Sequence, residues 1–245
     1  MDGQVLEFGV SGVLRFSNLV MYDRQTESWW QEFLGEAIVG DMTGKNLERL
    51  PMSVVSWKEF KAAHSEGKVL SRPGQSRPYG RNPYTFYDSS SPFLYEGPKD
   101  ERLPAIERVA GIEIGKESVA VPYPVLEKAP VAHFTLGGRD LVVFFKKGTA
   151  SALDRRSIAE GRDVGAVGVF DPNLDGRTLT FKTDGGNIVD EQTGSTWNLL
   201  GEAQSGPLAG KTLSPITYLN SFWFAWVAFK PDTVIYRGQS EFTPK

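Results

Sequence analysis

Hydrophobic positions in this chain fall into short runs of strand formers punctuated by glycine, aspartate and asparagine, a pattern that predicts a mainly β protein. Val5 to Val10 and Val13 to Phe16 read as strands flanking Ser11-Gly12. Leu19 to Tyr22 and Ser28 to Trp30 read as a hairpin closed by Asp23 to Glu27, and the same hairpin returns as Asn187 to Asp190 and Ser195 to Asn198 around Glu191 to Gly194. Val109 to Ile114 and Ser118 to Val121 form another hairpin about Gly115-Lys116. Leu141 to Phe145 is continuously apolar after Gly137-Gly138, which predicts a central strand buried on both faces. Two stretches read as helices. Ser56 and Glu59 stand at capping-box spacing ahead of Phe60 and Ala63. Phe222 to Phe229 is apolar all round, so it must be enclosed, between two units or between sheet and linker.

The recurrence extends well past one hairpin. Asp2-Gly3 and Leu6-Glu7-Phe8 return as Asp175-Gly176 and Leu179-Thr180-Phe181; Asp23, Gln25, Thr26, Ser28 and Trp30 return as Asp190, Gln192, Thr193, Ser195 and Trp197. Leu34-Gly35-Glu36-Ala37 returns as Leu200-Gly201-Glu202-Ala203, and eight of the seventeen positions from Leu34 to Leu50 are identical to their counterparts. This is the signature of a tandem duplication whose first copy lacks a front half. The expected organisation is two tandem homologous β-rich (α+β) units, each ending in a short helix. Residues 1–70 form an incomplete first unit, 71–104 a Pro/Tyr-rich linker, 105–238 a complete second unit and 239–245 a tail. The linker carries Pro73, Pro78, Pro83, Pro92, Pro98 and Pro104. It also carries Tyr79, Tyr84, Phe86, Tyr87, Phe93 and Tyr95, so it is expected to lie extended on the body with its rings buried.

Composition removes several function classes. The net charge of −3 supplies no excess of Lys and Arg for nucleic acid. There is no cysteine, so disulfides, thiolate metal sites and cysteine nucleophiles are out, and two histidines cannot make a three-histidine centre within one chain. The longest apolar run, Phe222 to Phe229, is too short to span a bilayer, and no signal peptide follows Met1. The compartment stays open.

Few motifs carry chemistry. Gly206 to Thr212 resembles a phosphate loop, but Ser205 stands where its first glycine belongs and Pro207 and Pro215 interrupt it, so it reads as a structural turn. Asp171, Asn173 and Asp175 begin like a calcium loop, but Lys182 stands where its closing glutamate belongs; a calcium turn between strands and a plain Asx turn are both compatible with that. His64 closes the first helix, where Lys230 is its counterpart, which suits a capping cation better than a metal ligand. Asp23, Glu36, Asp190 and Glu202 occur in both copies, as structural turns would require. His133 is expected at the surface or locally bonded. The weak catalytic candidates are Asp23, Arg24, Glu36, His64 and Asp154, the weak metal candidates Asp171, Asn173 and Asp175, and a divalent metal such as calcium is the one cofactor to test.

The stretches Phe8 to Gly12, Leu19 to Thr26, Gly35 to Ala37, Asp163 to Asp171, Thr193 to Gly201 and Phe222 to Trp226 resemble the bacterial and archaeal domain-of-unknown-function family numbered 3179, over nearly the whole chain. The resemblance implies no established activity. It does imply a front half for the first unit bearing a Trp-His-Glu stretch and a Cys-Pro-Leu-Cys-Gly motif, neither of which this chain contains, and members that are often extracytoplasmic. Removing strands from a unit leaves open edges and apolar faces. The expected partner is a second copy or a second chain that completes the first unit. The function expected is a binding or assembly module without autonomous catalysis. The alternative is a metal-dependent or redox enzyme of this family, whose site lies between the units and needs the absent segment.

Overall fold

The computed structural model describes residues 1, 3–72, 74, 77–93 and 95–238. Asp2, Pro73 and the tail at 239–245 lie outside the described residues. The fold is mainly β, with three short α-helices.

The N-terminal sheet is a four-stranded antiparallel meander of β1 (Phe8–Arg15), β2 (Asn18–Asp23), β3 (Trp29–Gln31) and β4 (Glu36–Val39). Helix α1 (Trp57–Ala63) follows. Ser56 caps it by accepting the Glu59 N–H at 3.3 Å, as the spacing predicts, while the Glu59 carboxylate turns instead to Lys146 at 2.8 Å.

The rest of the chain stacks in layers. Strands β5 (Arg108–Ile114) and β6 (Glu117–Pro122) form a hairpin, helix α2 (Tyr123–Lys128) crosses over, and β7 (Val131–Leu136), β8 (Arg139–Lys146) and β9 (Ala166–Asp171) form an antiparallel meander. A small hairpin, β10 (Asn173–Leu174) and β11 (Arg177–Thr178), turns through Asp175 and Gly176, both at positive φ. Next comes a second four-stranded meander of β12 (Phe181–Asp184), β13 (Asn187–Asp190), β14 (Thr196–Trp197) and β15 (Ala203–Ser205). Strand β16 (Ser214–Pro215) joins the edge of β9, and β17 (Tyr218–Phe222) joins β5. Helix α3 (Trp223–Phe229) and β18 (Val234–Ile235), parallel to β6, complete the chain.

Strand alternation decides what each layer buries. Leu141, Val143 and Phe145 of β8 enter one core with Ile112, Val121 and Val169. Val142 and Phe144 point the other way, into a second core with Phe181, Ile188 and Trp197. The continuous apolar run of β8 is therefore the middle of a three-sheet stack. On the outer face of the β5–β6 hairpin, Val109 and Ala120 meet Trp223 and Trp226 of α3. Gly111 makes that approach possible, since a Cβ there would fall 2.3 Å from the Trp226 ring.

Helix α3 is enclosed as its sequence demands. Its first amides donate to Glu107 and Ala105 carbonyls at 2.8 and 2.9 Å, in place of a side-chain cap. Phe33, which follows β3, stacks on Phe229 at 4.8 Å, and Tyr95 from the linker meets Phe224 at 4.8 Å. The linker is tied down by Asp88, whose buried carboxylate takes Arg108 at 2.9 Å and the Ser151 hydroxyl. Its rings behave differently from expectation. Tyr87 and Tyr95 are half-buried, but Tyr79, Tyr84, Phe86 and Phe93 are exposed. Backbone bonds, such as Asn82 N–H to Arg156 O at 2.8 Å, also tie the segment to the body.

Candidate functional site: an open sheet face and the cleft beside it

The turn between the second and third strands of each meander is organised by one carboxylate. Asp23 accepts the Thr26 N–H at 2.6 Å, the Thr26 hydroxyl at 2.8 Å and the Trp30 indole N–H at 2.9 Å. Burial pushes its carboxyl up, but the bonds from Trp30, Thr26 and the Gln25 backbone prevail and hold it below the ordinary carboxylate value. Asp190 makes the same bonds to Thr193 at 2.6 and 2.9 Å and to Trp197 at 3.0 Å. The agreement continues outward. Ser28 accepts the Met42 N–H at 3.1 Å and Ser195 the Leu208 N–H at 3.0 Å; Leu47 donates to Gly35 at 2.8 Å and Leu213 to Gly201 at 2.9 Å. Gly40 and Gly206 hold φ of +94° and +85°, each against its serine, where a Cβ would collide.

The two meanders differ in what lies across them. Phe181, Leu179, Ile188 and Leu213 are buried, and Phe144 and Phe170 cover them; the Phe144 ring meets Phe181 at 5.0 Å. At the matching positions of the N-terminal sheet, Phe8, Leu6, Met21 and Leu47 gather with Trp30 and Ala37, and among the described residues no hydrophobic side chain from another sheet joins their cluster. All four are only half-buried. On the same sheet Val10 is 71% exposed and Leu14 62%. The free edge differs as well. In the second meander His133 of β7 accepts the outward Phe181 N–H at 3.0 Å. The register of β1 on β2, with Arg24 N–H donating to Glu7 O, turns the Phe8 N–H toward the open edge of β1.

The candidate residues separate into different surroundings. Glu36 lines a groove of about 380 Å³ with Arg49, Trp226 and the ion-paired Glu113 and Lys230. His64 lines a neighbouring groove of about 330 Å³ with Phe60, Ile216 and Glu202. Tyr218 borders both, and burial pushes its hydroxyl up to about 12. The other three lie elsewhere. Asp23 is spent in its turn. Arg24 pairs with Glu7 at 3.0 Å on the surface. Asp154 is buried and accepts the Arg162 N–H at 2.8 Å. Glu202 and Arg49 enter the cleft without having been singled out for it. The signal for Glu202 lay in its correspondence to Glu36; nothing marked Arg49.

Asp171 and Asn173 are hydrogen-bonded to each other, and Asp175 is ion-paired. Asp171 accepts from Asn173 at 2.8 and 2.9 Å and from Arg139 at 3.0 Å. Burial raises its carboxyl, and these bonds bring it below the ordinary value. Asp175 pairs with Lys211 at 2.9 Å. Among the described residues no group of three or more His, Asp or Glu side chains is placed to hold a metal, and no helix is long and apolar enough to cross a membrane.

These features define a mainly β protein with one covered and one open meander. The chain belongs to the family described as protein of unknown function (DUF3179), whose profile matches residues 1–233. No curated protein and no solved structure matches it.

Proposed function

We propose that this chain is a β-rich binding or assembly module without autonomous catalysis, built from two related units, and that the open face of the β1–β4 sheet is its docking surface. The supporting observation is the contrast between Phe181, buried beneath Phe144, and Phe8, which has no such cover among the described residues. Two meanders closed by the same hydrogen bonds present the same apolar positions, and only one of them is roofed. The roof over the second is an antiparallel sheet carrying aromatic and branched side chains on one face. The occupant that fits the first is therefore a sheet of that kind, brought by a second polypeptide. Fully burying a ring or branched side chain contributes about 1.5–3 kcal/mol, so covering Phe8, Leu6 and Met21 suffices for a specific contact. Without that partner, copies of the chain are expected to shield one another.

Light scattering combined with a hydrophobic dye tests this. The isolated chain is expected to bind the dye and to run above the mass of a single chain, and Met21→Glu to abolish both effects. A dispersed single chain that ignores the dye would overturn the reading. The alternative, a metal-dependent or redox enzyme, draws its support from His64 and Glu202 lining one groove between the two halves.

A further inference from the structure

The exposed rings of the linker lie beside an arginine-lined groove that the docking face does not involve. An isolated bridge between Arg81 and Ser157, with Ile158 N–H donating to Gly80 O at 3.0 Å, draws the 79–81 turn onto the 156–160 turn. Between them runs a groove of about 700 Å³ lined by Tyr79, Arg81, Arg156, Ser157 and Glu160. Arg81 and Arg156 are exposed, and neither guanidinium has a hydrogen-bond or ion-pair partner among the described residues. Arg72 lies 5.3 Å over the Tyr79 ring and adds a third cation; among the described residues Glu160 is the one carboxylate lining the groove. Along the same surface Arg155 lies 5.6 Å over Phe86. Nearby Asp154 is buried and already turned toward Arg155 and Arg162.

In a chain whose net charge is −3, this groove gathers Arg81 and Arg156 beside the single lining carboxylate Glu160 among the described residues. Like charges held together repel, and an anion that enters between them removes the repulsion while gaining charge-assisted hydrogen bonds. We propose that this groove binds a short acidic polypeptide segment, its carboxylates taken by Arg81 and Arg156 and its apolar side chains resting on Tyr79 and the neighbouring exposed rings. Guanidinium forks match carboxylates in geometry. A single-stranded nucleic acid fits less well. It needs a continuous basic track, whereas the remainder of the chain is acidic.

The test is fluorescence anisotropy of a labelled peptide of about ten glutamates interspersed with leucine, titrated with the full chain at about 50 mM salt, where exposed charges are weakly screened. Saturable binding is expected. Arg81→Gln with Arg156→Gln should weaken it at least about tenfold with an unchanged melting curve, since both side chains are exposed and have no partner among the described residues. Glu160→Gln should strengthen it, and Lys116→Gln, in the distant β5–β6 turn, should leave it alone. No binding, or binding indifferent to the two arginine substitutions, would overturn the proposal. So would a single-stranded oligonucleotide of equal length binding more tightly than the peptide. Full displacement by inorganic phosphate at about 10 mM would also overturn it, by making the groove a free-anion site.

Discussion

The ring of Phe16, at the tip of the β1–β2 hairpin, meets the ring of Phe229 on α3 edge-on at 5.5 Å. Arg15 lies over both rings, at 5.5 and 5.9 Å. Phe16 and Ser17 turn the hairpin with φ of +49° and +60°, where the second meander uses Gly185-Gly186. A left-handed phenylalanine costs about 1–2 kcal/mol, so its contact with α3 must compensate. Phe16→Ala keeps the strain and loses the ring; Phe16→Gly loses the ring and relieves the strain. Urea unfolding should therefore find the glycine variant more stable than the alanine variant by about 1 kcal/mol, with both below the parent.

Asp23 and Asp190 should respond alike to substitution. Replacing either by alanine leaves a buried indole N–H and a threonine hydroxyl without their acceptor, at about 1–3 kcal/mol each. For Asp23 the pH dependence has a definite sign. Its folded value lies below the unfolded one, so its stabilisation is complete above the unfolded value near 3.8 and is lost as pH falls through the folded value. Acid unfolding of Asp23→Asn should be shallower in that window. Equal acid profiles for parent and variant would contradict this.

His133 links β7 to β12 through its Nε2, which can accept the Phe181 N–H only when unprotonated. Burial pushes the imidazole below its ordinary value, against the opposing influence of the Phe181 backbone and Glu191. The unfolded chain then takes up a proton first as pH falls. The stabilisation is complete above about 6.5 and is lost as pH drops from there through the folded value. Melting temperature should decline over that interval, and His133→Gln should flatten the decline.

Metal binding separates the two functional readings. If the chain is a docking module, millimolar calcium or micromolar zinc should leave its melting temperature unchanged, because a ligand raises it only by binding the native state. A rise that His64→Gln or Glu202→Gln removes would favour the enzyme reading.

The local chemistry was legible wherever a residue dictates its own surroundings. The Ser56 cap, the turns at Asp23 and Asp190, the double burial of β8 and the enclosed α3 all follow from periodicity and hydrogen-bonding capacity. What escaped depends on positions distant in sequence. Tyr84 and Phe93 are apolar enough to bury, yet Asp88 and Arg108 anchor their segment with those rings outward. Arg49, on the segment between β4 and α1, lines the cleft with Tyr218 and Leu219, residues remote from it in sequence. The order of the three stacked sheets likewise rests on pairings such as β17 with β5 that no local run encodes.

Strand β8 belongs to two cores at once, with Phe144 in one and Val143 in the other. Neither core can melt while the other keeps its central strand, so the stacked sheets should come apart as one cooperative event. The N-terminal meander has no such shared strand and touches the stack chiefly through rings at α3. Amide exchange should therefore find β1 and β2 opening ahead of everything behind them, a hierarchy that leaves the N-terminal sheet free to adjust while the stack behind it stays intact.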